Sequence, residues 1–362
     1  MSIYLNAGSH GLPAHPTLMR LSQELQSEME HGVVQATALA MPELAATKDR
    51  AAHLLGASEE RTSLGFTTTQ SWLSIVSRLP LHKRRIVICP HEWGANVRHL
   101  QHLASLSDLR ITLIPEEEAF DPAAWAQRMD EDVAALFLPQ VTSIEALHYP
   151  VAAIGAAPRP EHTLLIVDAA QALGRVRVSM ADLNCDVVLG TARKWLRGPR
   201  STALMALSPR AEKAIGTATG LLEPADFSIP SRCALGVALG AFLETGLSST
   251  AARISALEHH LRNRLDQVGL GNGLRLLPKR ENVHHAPGTI TLALPLAQQK
   301  TVDHGLKTAH ITAKWANPAG EEPLSHRARM VDTAFLRITP HIYNSERELD
   351  QIAACLCNQK DG

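Results

Sequence analysis

The most regular feature of the chain is a series of short apolar runs in its first 210 residues. Six of these runs lack an alternation of polar and apolar positions, which is typical of strands buried on both faces of a mostly parallel sheet. They lie at 85–89, 110–115, 134–138, 163–167, 186–190 and 202–207. Stretches at 70–77, 96–106 and 122–129 have apolar residues at helical spacing. The order strand, helix, strand predicts an open α/β sheet whose ligands bind at the carboxyl ends of the strands.

The second half of the chain has a different pattern. A long helical region is predicted at 229–268, followed by strand-like runs at 288–294, 309–315 and 335–339 and by a terminal helix at 345–357. This order is typical of a small α+β domain appended to a large one. We expect an N-terminal arm at 1–15, a large α/β domain at 16–270 and a small C-terminal α+β domain at 271–362.

Composition and charge narrow the class of protein. The 362 residues are 45% hydrophobic and 20% charged, and 35 Lys and Arg nearly balance 36 Asp and Glu. That balance argues against a nucleic-acid partner or a polybasic membrane surface. Five cysteines, odd in number and without a CxxC pair, predict neither a disulfide framework nor a metal site. With no signal-peptide pattern and no apolar run near 18 residues, we expect a cytoplasmic, soluble protein with reduced cysteines.

The segment 163–205 carries the most specific chemistry. Asp168 ends one predicted buried strand, and Lys194 follows the end of the next strand, 26 residues further on. A carboxylate at this sheet edge can hold a pyridine nitrogen protonated, and a lysine can form a Schiff base with an aldehyde. These are the two protein groups that pyridoxal 5′-phosphate (PLP) requires. In isolation, a turn-capping Asp and a solvated Lys would be the ordinary interpretation.

A second candidate site is the segment GFTTTQSW at 65–72. Thr67, Thr68 and Thr69 stand just before a helical pattern, where free backbone N–H groups and the helix dipole favour a dianion such as phosphate. A threonine-rich N-cap without any ligand is the alternative.

These segments resemble class V of the fold-type I PLP-dependent enzymes. The resemblance rests on VDAAQALG around Asp168, GTARKWLRGPR around Lys194, EWGAN at 92–96 and LRITPHIYNSERELD from Leu336, and it covers nearly the whole chain. It implies a mostly parallel seven-stranded sheet with helices on both faces. Within the class, the last three blocks look most like the lyases that act on hercynylcysteine sulfoxide in ergothioneine biosynthesis.

The resemblance implies a role for each residue of the cofactor site. Lys194 would be the Schiff-base lysine and proton shuttle, Asp168 would pair with the pyridinium nitrogen, and Gln171 would bond the phenolic oxygen. Trp93 falls where class V members stack an aromatic residue on the cofactor ring, although a core or interface tryptophan is the alternative. Arg193, beside the lysine, would lie at the phosphate.

The substrate side is predicted from two further segments. Arg337, in the run FLRIT, offers a guanidinium fork that matches an α-carboxylate, with a structural salt bridge as the alternative. The N-terminal arm resembles the substrate-facing loop of class V, with Asn6 and His10 near the substrate, unless both are ordinary turn residues. Ser143 stands where desulfurases carry an asparagine near the cofactor. A Gly-Thr pair that many relatives lend to the partner's phosphate is not visible at 220–232.

The predicted reaction follows from a missing thiol. A desulfurase needs a nucleophilic cysteine on a loop before the arginine-bearing strand, and residues 290–334 contain none. We therefore expect a PLP-dependent C–S lyase that acts by β-elimination on a cysteine S-conjugate or cysteine sulfoxide. An aminotransferase or deaminase is the alternative, and a desulfurase or epimerase fits less well. The resemblance also implies a homodimer.

Overall fold

The computed structural model describes residues 2–81, 84–271 and 273–357. Its strands are β1 Ile3–Tyr4, β2 Thr62–Gly65, β3 Arg85–Ile88, β4 Arg110–Leu113, β5 Val133–Pro139, β6 Leu164–Asp168, β7 Val187–Thr191, β8 Ala203–Leu207, β9 Arg275–Leu276, β10 Ile290–Pro295, β11 Ile311–Thr312, β12 Lys314–Ala316 and β13 Thr333–Ile338. Its α-helices are α1 His15–His31, α2 Val33–Leu55, α3 Thr68–Val76, α4 Gly94–Leu106, α5 Pro122–Ala126, α6 Val151–Ala156, α7 Met180–Leu183, α8 Pro209–Ile215, α9 Ile229–Thr245, α10 Leu247–Val268, α11 Gln299–Thr308, α12 Pro318–Glu321 and α13 Glu346–Cys357.

The central sheet has seven strands within the described ranges, in the order β2-β8-β7-β6-β5-β3-β4. Strands β3 to β7 are parallel to one another, whereas β8 and β2 are antiparallel additions at one edge. The predicted α/β fold with a mostly parallel sheet is confirmed. The six predicted strands agree with β3 to β8 to within two residues at each end.

Both faces of this sheet are covered by helices, which explains why its strands show no polar alternation. In β3, Val87 packs into one hydrophobic core while Ile86 and Ile88 pack into another on the opposite face. Helices α2 and α9 contribute to the first core, and α3, α4 and α8 contribute to the second. A strand buried on two sides needs apolar residues at every position.

The long predicted helix at 229–268 is two helices in the structure. Helix α9 ends at Thr245 and α10 begins at Leu247, with an angle of 83° between them. Gly246 lies at the corner with φ of +79°, a conformation that favours glycine. No single helix of the described residues is long and apolar enough to cross a membrane. Within those residues, only α9 and α10 taken together reach the length and apolar composition of a span, and the pair is sharply bent.

A second sheet, antiparallel and ordered β12-β13-β10-β9, follows the large one. Its core is shared with α10, α11 and α13. The run predicted as one strand at 309–315 divides after Thr312, because β11 pairs with β1 at the N-terminus while β12 pairs with β13. The N-terminal arm is therefore anchored to the C-terminal part of the chain. The domain boundaries at residues 15 and 270 stay predictions.

Candidate active site

A cleft lies at the carboxyl edge of the central sheet, with a volume of about 690 Å³ that includes the solvent-filled space at its opening. Pro139, Asp168 and Thr191 are the last residues of β5, β6 and β7, and all three line it. The N-terminal ends of α3 and α4 reach the same cleft through Thr68 and Trp93. Parallel strands and the helices that follow them thus deliver polar groups to one edge, as the strand pattern predicts.

Asp168 lines this cleft from the end of β6. It pairs with Pro139 of β5 and Leu189 of β7, and its side chain is buried. Its Oδ1 accepts a hydrogen bond from the Ala170 N–H at 2.7 Å. Burial raises the pKa of the Asp168 carboxyl, although this N–H and the positive charge of Lys194 act in the opposite direction. A cationic ligand would offset the cost of burying this carboxylate, so the group is suited to accept a bond from one.

Lys194 lies three residues beyond the end of β7 and lines the same cleft. Burial lowers the pKa of its ammonium group to about 7, with a further contribution from the charge of Arg193, while Asp168 opposes the shift. With a pKa near 7, a substantial fraction of this amine is neutral near neutral pH, and the neutral amine is a competent nucleophile and a competent base.

Trp93 places an aromatic ring beside that amine. It is the N-cap residue of α4, and its ring centroid lies 5.9 Å from Lys194 Nζ. The turn that carries it is held by Glu92, whose Oε1 accepts bonds from the Trp93 backbone N–H at 3.1 Å and from Asn96 Nδ2 at 2.8 Å. A flat ligand attached to the lysine would have this indole as a neighbour.

The three threonines divide into a cap and a free hydroxyl. Thr67 is the N-cap of α3, and its Oγ1 accepts the Gln70 N–H at 3.1 Å, so the capping interpretation holds for this residue. Thr68 Oγ1 is buried without a hydrogen-bond partner among the described residues, and both Thr68 and Thr69 line the cleft. An orphaned hydroxyl beside a helix N-terminus is a site that fits a phosphate.

Gln171 and Arg193 also line the cleft, and both side chains contact the N-terminal arm. Gln171 Nε2 donates to the Gly8 carbonyl at 2.9 Å, and its Oε1 accepts from the Trp195 indole at 3.0 Å. Arg193 Nη1 donates to the Ser9 carbonyl and lies 3.2 Å from His10 Nε2. Both residues therefore connect the predicted cofactor site to the arm.

Arg337 lies behind the cleft wall rather than in it. Its Nη1 donates to the Ser143 carbonyl at 2.7 Å and hydroxyl at 3.1 Å, and its Nη2 donates to Ser9 Oγ at 2.8 Å. Glu321 lies 4.0 Å away and also accepts from Ser143 Oγ at 2.9 Å. Arg337 Nε has no partner among the described residues, and the side chain is only 1% exposed. The Nε and Nη2 side of the guanidinium thus keeps free N–H donors suited to a carboxylate.

Asn6 and His10 lie on the arm near these residues, but they are not among the described residues that wall the cleft. Asn6 forms an isolated bridge with Thr339, and its Oδ1 is buried without a partner in the described ranges. Burial and the charges of Arg193 and its cationic neighbours lower the pKa of His10 to about 4. Ser143, by contrast, does line the cleft.

Sequence reasoning missed two polar residues that line the cleft, Thr191 and His91, and a third, Glu92, that lies next to the cleft residue Trp93. Thr191 ends β7, and its hydroxyl donates to the Thr202 carbonyl at 3.2 Å. His91 lines the cleft and bonds the Tyr149 hydroxyl at 2.7 Å. Burial, together with the charge of Asp168, raises the pKa of Glu92 to about 8. The signal for all three was present, because each lies within three residues of a predicted site residue.

Comparison with known proteins decides the family. The family model named aminotransferase class-V matches residues 14–352. The chain belongs to the aminotransferase class-V family. A probable hercynylcysteine sulfoxide lyase of Mycobacterium tuberculosis (strain CDC 1551 / Oshkosh) is 24% identical to this class-V chain, over 98% of the chain and 89% of that protein.

Solved structures confirm the fold of this class-V enzyme. The apo cysteine desulfurase of Thermococcus onnurineus NA1 aligns with a TM-score of 0.85 at 16% identity, over 99% of this chain and 94% of that one. The cystine C–S lyase C-DES, in complex with its product cysteine persulfide, aligns with a TM-score of 0.85 at 17% identity, over 99% and 98%. The predicted fold-type I architecture is confirmed, and the protein is a pyridoxal 5′-phosphate-dependent enzyme.

The residues of the cleft fit this cofactor. An amine with a pKa near neutrality lies beside an indole, a buried carboxyl lines the same cleft, and a hydroxyl without a partner among the described residues stands at a helix N-terminus. These groups match the aldehyde, the ring, the ring nitrogen and the phosphate in turn. The nine predicted cofactor residues all line this one cleft, namely Thr67, Thr68, Thr69, Trp93, Ser143, Asp168, Gln171, Arg193 and Lys194.

Proposed function

We propose that this class-V enzyme is a C–S lyase that acts by β-elimination on a cysteine S-conjugate or cysteine sulfoxide. The observation that carries the proposal is the amine of Lys194, with a pKa lowered to about 7, in a cleft whose described lining residues include no cysteine. The relative that spans 98% of the chain is a probable hercynylcysteine sulfoxide lyase, so that substrate, or a related thio-conjugate, is the one we favour.

Binding and orientation of the substrate fall to the residues around the cleft. Arg337 would hold the α-carboxylate through its free Nε and Nη2 hydrogens, exchanging its bond to Ser9 for a stronger one. Trp93 would stack on the cofactor ring and fix its tilt, which selects the Cα bond that breaks. Asp168, buried at the end of β6, would keep the ring nitrogen protonated.

Proton transfer falls to Lys194. Pyridoxal phosphate supplies an electron sink for charge released at Cα. The neutral Lys194 amine would remove the Cα proton of the bound substrate. The Cβ–S bond then breaks, and its electron pair leaves with sulfur. With one water consumed, a cysteine sulfoxide yields a sulfenic acid, pyruvate and ammonia.

The positions of the cysteines argue against desulfuration. Cys89, Cys185 and Cys233 are buried in the structure, and burial raises the pKa of each thiol. Cys355 and Cys357 lie in the terminal helix α13. A desulfurase must present a reactive thiolate to the substrate's sulfur, which requires exposure and a lowered pKa. A lyase needs no such group.

The test is to incubate the purified holoenzyme with a cysteine S-oxide conjugate and to assay pyruvate, with and without an added keto acid. We expect pyruvate and ammonia in equal amounts without the keto acid. Product formation only with the keto acid would overturn the lyase and favour the aminotransferase. With free cysteine as the substrate in a parallel incubation, alanine and a protein-bound persulfide would instead indicate a desulfurase.

We further propose that the enzyme is a cytoplasmic homodimer. Large apolar side chains are exposed on the first two helices, and a second copy of the chain would cover them. They are Leu18, Met19, Leu25 and Met29 on α1 and Val33, Val34, Leu39 and Met41 on α2.

A further inference from the structure

Trp195 follows the candidate Schiff-base lysine directly and is held from several sides. Its side chain is 1% exposed, and its ring is stacked on that of His341, whose Nε2 lies 3.0 Å from the Trp195 carbonyl oxygen. The Arg175 guanidinium carbon lies 4.1 Å from the centroid of the indole. Gly288 has φ of +89°, and a Cβ there would come within 3.1 Å of the ring. The indole therefore has one position.

That position sets the orientation of one amide in the cleft wall. The indole N–H can only donate, and it donates to Gln171 Oε1 at 3.0 Å. The Gly8 carbonyl can only accept, and it accepts from Gln171 Nε2 at 2.9 Å. A flipped amide would set N–H against N–H and oxygen against oxygen. Two partners of opposite kind thus fix which end of the amide is which.

The remaining hydrogen of this amide is available to a ligand. Gln171 Nε2 carries two N–H groups, and in the described part of the chain only one has an acceptor. Arg175 Nε donates to the Gln171 carbonyl at 2.7 Å, so backbone and side chain of Gln171 are both restrained. A donor held in this way does not have to be reorganised when an anionic oxygen arrives.

We propose that Trp195 is a positioning residue that keeps the amide nitrogen of Gln171, and not its carbonyl, directed at the phenolic oxygen of the cofactor. This inference rests on the proposed role of Gln171 but not on the reaction, because its readout needs no substrate. The visible band of the lysine-bound cofactor requires a proton on the nitrogen next to that oxygen. A hydrogen bond to the oxygen takes up part of its negative charge and weakens its hold on this proton.

The experiment is a pH titration of the visible absorption band of the holoenzyme. Trp195→Phe removes the indole N–H and leaves the Gly8 carbonyl as the remaining partner that orients the amide. The amide nitrogen is then held less firmly toward the phenolic oxygen, so the midpoint should rise, by up to about one pH unit. Benzothienylalanine at position 195 keeps the shape of the ring and replaces only the N–H by sulfur, so it should give the same shift if the Phe variant folds poorly. The charged residues predicted around the cofactor ring, Asp168, Arg193 and Lys194, are the same in both variants as in the wild-type protein.

Trp125→Phe is the matched control. Trp125 is also fully buried, and its indole donates to the Ala119 carbonyl at 3.0 Å, but it lies outside the cleft. Its loss should lower stability without moving the midpoint. In a Gln171→Ala background, Trp195→Phe should add no further shift, because its effect passes through Gln171. An unchanged midpoint in the benzothienylalanine protein, or the full shift in the Gln171→Ala background, would overturn the inference.

Discussion

At the scale of single residues, the cleft brings together groups whose charge or hydrogen-bonding capacity is poorly satisfied by the protein alone. Lys194 is drawn toward the neutral form by burial, the Asp168 carboxyl is buried with a raised pKa, and Thr68 Oγ1 has no partner within the described ranges. Each imperfection costs stability in the cofactor-free protein. In the proposed assignment, one part of pyridoxal phosphate would remove each of them, so we expect ligand binding and stability to be coupled.

The lowered pKa of Lys194 can be measured directly in the cofactor-free enzyme. Competitive labelling with acetic anhydride follows the neutral amine, so labelling of Lys194 should rise with pH to a midpoint near 7. The exposed Lys213 serves as an internal check on the reagent. A midpoint near 10.5, the ordinary value for lysine, would contradict the described environment.

Arg337→Lys tests the carboxylate fork. The substitution keeps the charge and much of the volume but removes the paired N–H donors. We expect KM for the amino-acid substrate to rise by about ten- to hundredfold, with a smaller change in kcat. Arg327→Lys is the control, since Arg327 pairs with Glu145 through Nε and Nη2 at 2.8 and 3.0 Å. Equal KM changes in the two variants would argue against the role.

At the scale of elements, strand ends and helix starts deliver the site, and these were predictable from sequence where the local pattern is strong. Buried strands β5 to β7 are continuous apolar runs, so their ends located Asp168 and Lys194. The edge strand β2 has no such run and was missed. The division of 229–268 at Gly246, and of 309–315 after Thr312, depends on tertiary packing. The contacts of Arg337 with Ser9 and Ser143 link residues more than 190 positions apart, which no local pattern reveals.

The N-terminus of α3 makes a prediction about phosphate. Thr68→Val removes the unpartnered hydroxyl with almost no change in shape, so the cofactor-free enzyme should unfold with the same or a slightly higher free energy. Its affinity for pyridoxal phosphate, measured by fluorescence titration, should fall by about tenfold. Thr301→Val, on the exposed surface of α11, is the control for the affinity. An unchanged affinity for Thr68→Val would exclude this hydroxyl from the phosphate site.

At the scale of the whole molecule, the N-terminal arm joins the two sheets at the site. Strand β1 pairs with β11, Gly8 accepts from Gln171 and Ser9 accepts from Arg337. The arm therefore contacts both the predicted cofactor site, through Gln171, and the predicted carboxylate site, through Arg337. We expect the substrate's carboxylate to replace Ser9 as a hydrogen-bond partner of Arg337, which would remove one of the contacts that hold the arm.

The exposed apolar side chains of α1 and α2 carry the prediction about assembly. Met29 and Val34 are 78% and 87% exposed, and the double variant Met29→Lys with Val34→Lys should convert a dimer to a monomer in sedimentation velocity. Val331→Lys changes a side chain of similar exposure, 75%, on the loop before β13, and should leave the dimer intact. A wild-type protein that sediments as a monomer would refute the proposed dimer.

The most direct test of the central claim is to locate the cofactor on the chain. Borohydride reduction of the holoenzyme, followed by digestion and mass mapping, should place a single phosphopyridoxyl group on Lys194. The Lys194→Ala protein should carry no such group and should lack the visible absorption band. A reduced adduct on a different lysine, with Lys194 unmodified, would contradict the assignment of the cleft between Lys194 and Asp168 as the cofactor site.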